Sequence, residues 1–137
     1  MEIRQFHPDD IRSVTYLLQA ISKSDPRPED LEQLANLFLA DENAYACVAA
    51  SEGRVIGFGS VFLQRRIRGG CSAVIEDVVV DEDFRRQGVG ARIVEELLDY
   101  AKNRKCFKAT LVAGDQNLHF YELLGFHEDN RAMRLLF

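Results

Sequence analysis

The sequence predicts a single domain of the α/β (α+β) class, one central sheet of about six strands flanked by about four helices. Three observations predict it. β-rich runs alternate with amphipathic stripes in the order strand, two helices, three strands, helix, strand, helix, strand. The 137 residues suffice for one hydrophobic core and fall short of two. No linker, composition shift or internal repeat divides them, so residues 1–137 are expected to form one unit.

Each element has a local cause. Residues 3–6 alternate as an edge strand, and Pro8-Asp9-Asp10 opens a helix whose buried face is Ile11, Val14, Leu17, Leu18 and Ile21. Pro28 suits a first helical position, acidic Glu29 and Asp30 follow it, and Leu31, Leu34, Leu37 and Phe38 form the stripe of a second helix. Residues 45–50 and 55–63 are strands joined by Ser51-Glu52-Gly53-Arg54, a hairpin turn with glycine where a positive φ is required. A basic connection, Gln64-Arg65-Arg66-Ile67-Arg68-Gly69-Gly70, leads to a strand over 74–80. Its branched apolar run predicts burial on both faces, interrupted by Glu76 and Asp77. Ile93, Val94, Leu97, Leu98 and Ala101 recur at helical spacing. Residues 108–112 read as a strand, 117–124 as a short helix stopped by Gly125, and 133–137 as a closing strand.

Composition excludes several function classes. A net charge of −5 disfavours a nonspecific hold on nucleic acid or an anionic membrane, so any bound anion must meet a local cluster of donors. No apolar run approaches the ~18 residues of a membrane span. The start, Met-Glu-Ile-Arg-Gln-Phe, runs into a strand without the pattern of a signal peptide, and a cytoplasmic protein is expected. Cys47, Cys71 and Cys106 are widely separated and lack ligand spacing, which predicts reduced thiols that fill core or surface. His7, His119 and His127 share no ligand spacing either, and no metal is implied.

The most specific segment is Val78-Val79-Val80-Asp81-Glu82-Asp83-Phe84-Arg85-Arg86-Gln87-Gly88-Val89-Gly90-Ala91: a strand, an acidic loop and a glycine-spaced turn that opens a helix. N–H groups in a first helical turn lack intrahelical partners and carry the positive end of the dipole. They bind phosphate oxygens, while Gly88 and Gly90 keep Cβ atoms out of the way and Arg85 and Arg86 add charge. Neither G-x-G-x-x-G nor G-x-x-x-x-G-K-[ST] is present, which sets aside dinucleotide and P-loop sites.

Arg85-x-x-Gly88-x-Gly90 resembles the pyrophosphate motif of the GNAT N-acetyltransferases, and Asn117-x-x-x-Tyr121-x-x-x-Gly125-Phe126 is similar to a second block of that family. The resemblance covers nearly the whole chain and implies a mixed, mostly antiparallel sheet with acetyl-CoA as co-substrate. The coenzyme set it implies is Val78, Val79, Val80, Arg85, Arg86, Gln87, Gly88, Val89, Gly90, Ala91, Asn117 and Tyr121. Within the superfamily, Ile75-Glu76-Asp77-Val78-x-Val80, Cys106-Phe107-Lys108 and Arg27-Pro28-Glu29-Asp30-Leu31 look like segments of the glucosamine-6-phosphate N-acetyltransferases. This implies an amino sugar phosphate acceptor, direct transfer in a ternary complex and a homodimer. The chain departs from those enzymes at Val112, where they carry an acidic residue, and at Arg134-Leu135-Leu136-Phe137, where they carry a basic tail.

Acetyl transfer to an amine needs a neutral nucleophile, a stabilised oxyanion and a proton for the departing thiolate. By resemblance, the Val78 amide polarises the thioester and Val80 helps to hold the pantetheine arm. Tyr121 is the candidate general acid; the alternative is a tyrosine buried against a backbone partner. Glu76 and Asp77, adjacent in a strand, are expected to point to opposite faces and so not to form a dyad. Glu76 is the candidate base, acting through water, and Asp77 the candidate substrate ligand. Arg65, Arg66 and Arg68 are either ligands of an acceptor phosphate or a solvated loop. A GNAT enzyme for another primary amine (an aminoglycoside, a polyamine, a protein lysine or N-terminus) and a non-catalytic acetyl-CoA sensor are the competing functions.

Overall fold

The computed structural model describes residues 1–137. Its elements are β1 (Glu2–Gln5), α1 (Ile11–Leu18), α2 (Leu31–Ala40), β2 (Ala44–Ser51), β3 (Arg54–Arg65), β4 (Cys71–Val80), α3 (Val89–Asn103), β5 (Cys106–Thr110) and α4 (Leu118–Leu123). The strands form one sheet in sequence order. Strands β1 to β4 are antiparallel, and β5 joins β4 in parallel after the α3 crossover.

Alternation along the strands divides the core into two layers. On one face, Cys47 and Ala49 of β2, Val61 and Leu63 of β3, and Ala73 and Ile75 of β4 pack against Val89, Ile93, Val94, Leu97 and Ala101 of α3. On the other, Ala46, Val48 and Phe58 meet Val14 and Leu17 of α1 and Ala35 of α2. The helix α3 lies almost on the β3 backbone. A Cβ on Gly59 would stand 2.6 Å from Ile93 Cγ2 and 3.0 Å from Leu97 Cδ1, and one on Gly57 would stand 2.7 Å from Ile93 Cδ1. These two glycines set the height of α3 above the sheet, and through it the position of everything at the helix's N-terminus.

The turn between β2 and β3 has the expected geometry, with φ of 51° at Glu52 and 76° at Gly53, the doubly positive turn that suits a tight hairpin. Other expectations need correction. The first helix ends at Leu18 rather than reaching Ile21. Strands β3 and β4 run further into the basic connection than 63 and 74, to Arg65 and from Cys71. The sheet has five strands rather than six. Residues 133–137 carry a strand-like pattern, yet they pair with nothing, and Met133, Leu135, Leu136 and Phe137 are all exposed. Strand propensity is realised only where a neighbouring ladder accepts it.

The close approach of α3 yields a stability test. Gly59→Ala forces the β-branched Ile93 to move and is expected to cost about 1–3 kcal/mol, read as a lower urea midpoint at unchanged m-value.

Candidate active site

Strand β4 carries the site because its C-terminal half loses one neighbour and is bulged against the other. Toward β5 the register runs through Cys71↔Cys106 and Ala73↔Ala109 and ends at Val74↔Thr110. From Ile75 onward that edge of β4 has no strand beside it. Toward β3, Ser60 pairs Glu76 and Phe58 pairs Val79, so that Asp77 and Val78 together face the single Gly59 and neither has a register partner. This is a β-bulge, and Asp77 takes a left-handed φ of 57° within it. The side-chain phase confirms the extra residue. Ala73 and Ile75 pack in the α3 layer, but so do Val78 and Val80, whereas Val79 joins the opposite layer.

The bulge changes the expectation for the two carboxylates. Glu76 and Asp77 do not sit inside a strand buried on both faces; both are exposed. The alternation that would send them to opposite faces is interrupted between them. Ser60 fixes the bulge from below, its hydroxyl donating to the Glu76 carbonyl oxygen at 3.0 Å while itself 2% exposed.

The open edge leads into the turn before α3. Gly88 is the N-cap of α3, with φ of 80°, and no side chain caps the helix. The first-turn N–H groups of Val89, Gly90 and Ala91 are therefore available to an anion at the positive end of a 15-residue helix. The side chains of Val89 and Val79 are buried at 3% and 6% exposure, so these residues offer a ligand only their backbone. Gly90 owes its identity to packing: a Cβ there would stand 3.2 Å from Phe120 Cζ. Arg85 donates from Nε to the Val80 carbonyl at 3.3 Å, while Arg86, at a φ of 62°, and Gln87 are exposed.

One contributor escapes sequence reasoning. Arg54, at the start of β3, places Nη2 2.6 Å from Oδ2 of Asp81 and its guanidinium carbon 5.5 Å from the Phe84 ring centroid. Asp81 in turn accepts from the Asp83 N–H at 2.9 Å, and its own N–H donates to the Ile56 carbonyl at 2.7 Å. The acidic loop is thus tied to the base of the β2–β3 hairpin. In the sequence Arg54 is only a turn residue, because its partner lies 27 positions away.

Helix α4 lies against the start of α3, where a Cβ on Gly90 would meet the Phe120 ring at 3.2 Å. Phe120 and Tyr121 pack against the α3-side layer beside Val78 and Val80. The Tyr121 ring stands edge-on to Phe120 at 4.9 Å and to Phe126 at 5.7 Å. Burial pushes its phenol above the ordinary value. Asn117 is exposed at the N-terminus of α4 and caps nothing with its side chain.

The structure does not bring every candidate together. Arg65, Arg66 and Arg68 lie at the far end of the β3–β4 hairpin, where Arg65 pairs Cys71. Val78 lies seven positions beyond Cys71, about 23 Å along a strand. Arg66 stacks over Phe107 at 5.8 Å instead. His7 caps the turn before α1, and His119 and His127 are exposed. No helix is long and apolar enough to cross a membrane.

Comparisons agree with this architecture. The Acetyltransferase (GNAT) family matches residues 11–126. Glucosamine 6-phosphate N-acetyltransferase of Trypanosoma brucei brucei is 32% identical, over 98% of this chain and 95% of that protein. Glucosamine 6-phosphate N-acetyltransferase 1 of Oryza sativa subsp. japonica is 35% identical, over 88% of this chain and 77% of its own. The crystal structure of glucosamine-6-phosphate N-acetyltransferase from Arabidopsis thaliana superposes with a TM-score of 0.93 at 28% identity, covering 99% of this chain and 97% of that one. A sheet that opens beyond Val74, an uncapped glycine turn at the head of α3 and a match over most of the chain have one conclusion: this protein belongs to the GNAT acetyltransferase family.

Proposed function

We propose that the chain is an acetyl-CoA-dependent N-acetyltransferase that acetylates the amine of glucosamine 6-phosphate, working as a cytoplasmic homodimer. The observation that carries this is the open edge of β4 from Ile75 to Val80, continuous with the uncapped start of α3 and flanked by Tyr121. An extended, amide-bearing chain ending in a pyrophosphate fits such a groove: backbone pairing along the strand edge for the arm, orphan N–H groups for the phosphates. The acceptor is inferred from the relatives that carry that name, which this chain matches over nearly its whole length.

Acetyl-CoA supplies an acetyl group activated as a thioester. Val78 and Val80 hold the pantetheine arm, with Val79 forming the wall behind; Gly88, Val89, Gly90 and Ala91 hold the pyrophosphate, assisted by Arg85, Arg86 and Gln87. Asn117 supports the arm from the α4 side. The N–H of Val78, a residue with no register partner in β3, polarises the carbonyl as the amine attacks. Tyr121 gives its proton to the leaving sulfur. A phenol is protonated across the neutral range, the state a general acid requires, and burial of Tyr121 moves its titration further from that range. Glu76 takes the amine proton through water, and Asp77 binds the sugar. Arg65, Arg66 and Arg68 lie at the far end of the β3–β4 hairpin; if they bind the acceptor phosphate, the homodimer is what brings them to a site, that of the second copy.

A thiol-release assay with acetyl-CoA and four acceptors tests this: glucosamine 6-phosphate, glucosamine, spermidine and a lysine peptide. Turnover is expected with glucosamine 6-phosphate and to fall sharply without the phosphate. Reaction of another amine alone would overturn the acceptor, and tight coenzyme binding with no turnover on any would favour a sensor. Tyr121→Phe is expected to lower kcat about 100-fold with little change in either KM. Arg54→Ala loosens the loop without touching the reacting atoms. It is expected to raise KM for acetyl-CoA about 5- to 10-fold at nearly unchanged kcat, with partial rescue by Arg54→Lys.

A further inference from the structure

Outside the active site, two cysteines meet where β4 and β5 are paired. Cys71 and Cys106 are register partners across the parallel ladder. The Cys106 thiol donates to the Cys71 sulfur, with the two Sγ atoms 3.1 Å apart. Neighbouring strands run about 4.8 Å apart, and disulfide-linked residues have Cα separations of about 4.4–6.8 Å. The backbone already holds the spacing of a bond, and the sulfurs need to close by only about 1 Å. Both residues are partly exposed, so a small reagent reaches them. Cys47 is 0% exposed, and burial pushes its thiol up to about 12; it is no competitor.

We propose that Cys71 and Cys106 form a redox modification site, a dithiol that a small-molecule disulfide oxidises to an intrachain bond between β4 and β5. The Cys71 sulfur, which accepts the hydrogen bond, is the first nucleophile: as thiolate it attacks the external disulfide, forming a mixed disulfide and releasing one thiol. Cys106 then gives up its proton and attacks the Cys71 sulfur of the mixed disulfide, expelling the second thiol. The protein loses two electrons and two protons, and the external disulfide becomes two thiols. Burial raises the Cys106 thiol above its ordinary value, and the second step, which needs its thiolate, accelerates as the pH rises.

The position of the bond gives it a consequence. Its ends lie 35 residues apart in sequence, and the loop between them contains the open half of β4, the acidic loop, the glycine turn and all of α3. A cross-link here restricts the unfolded chain and fastens the coenzyme-binding unit at its base, while the edge of β4 beyond Val74 stays open.

The experiment uses the full-length protein incubated with oxidised glutathione at pH 8.5. The expected product is a chain lighter by about 2 Da and not covalently linked to another, in which only Cys47 remains unlinked and unreactive in the native state. Its Tm should rise by about 10 °C, reversed by dithiothreitol. Cys71→Ser and Cys106→Ser are each expected to abolish the shift and to yield a glutathione adduct at the remaining thiol. Two freely alkylated thiols after incubation, a stable glutathione adduct on the unsubstituted chain, or a cross-link between chains would each overturn the proposal.

Discussion

Everything distinctive about this molecule follows from β4 losing its neighbours. A strand buried in a sheet has both edges paired, and its backbone is then unavailable to any ligand. Here the parallel ladder to β5 stops at Val74 and the antiparallel ladder to β3 is broken by a two-for-one bulge at Asp77 and Val78. Unpaired backbone in a half-buried groove is costly unless something pairs with it. The fold thus carries a standing preference for an extended partner along this one edge.

The rest of the architecture holds that edge open in a defined shape. Gly57 and Gly59 let α3 settle onto β3. The helix then presents its N-terminus where β4 ends, and Phe120 locks α4 against it through the space Gly90 leaves. Arg54 and Asp81 tie the intervening loop to the β2–β3 hairpin. Since Arg54 is half-exposed, that ion pair adds little to global stability, and its value lies in restricting where the loop can go. Ser60 serves the bulge similarly, by occupying the Glu76 carbonyl.

Much of this was legible in the sequence because it is local. The hairpin turn at Glu52-Gly53, the stripe of α3 and the glycine spacing of the cradle are set by residues within a few positions of one another. The bulge was not legible: Glu76-Asp77 within an apolar run signals two polar residues in a strand and does not say that one of them is surplus to the register. Long-range partners were equally hidden. Arg54 and Asp81, or Cys71 and Cys106, meet only once the sheet order is known, and the cysteines' wide separation read as independence. The tail shows the opposite failure. Residues 133–137 have the composition of a strand, but a strand is a relation between two segments, and here the second is missing.

The central claim is that the free edge of β4 and the uncapped start of α3 are one binding surface for the coenzyme. Amide hydrogen exchange resolved to single residues, with and without saturating coenzyme A, tests it most directly. The amides of Val78, Val80, Gly88, Val89 and Gly90 are expected to slow together by about 10-fold or more, with β1 and α2 unchanged. Protection confined to other elements, or slowing at the glycine turn with none at Val78 and Val80, would contradict the account.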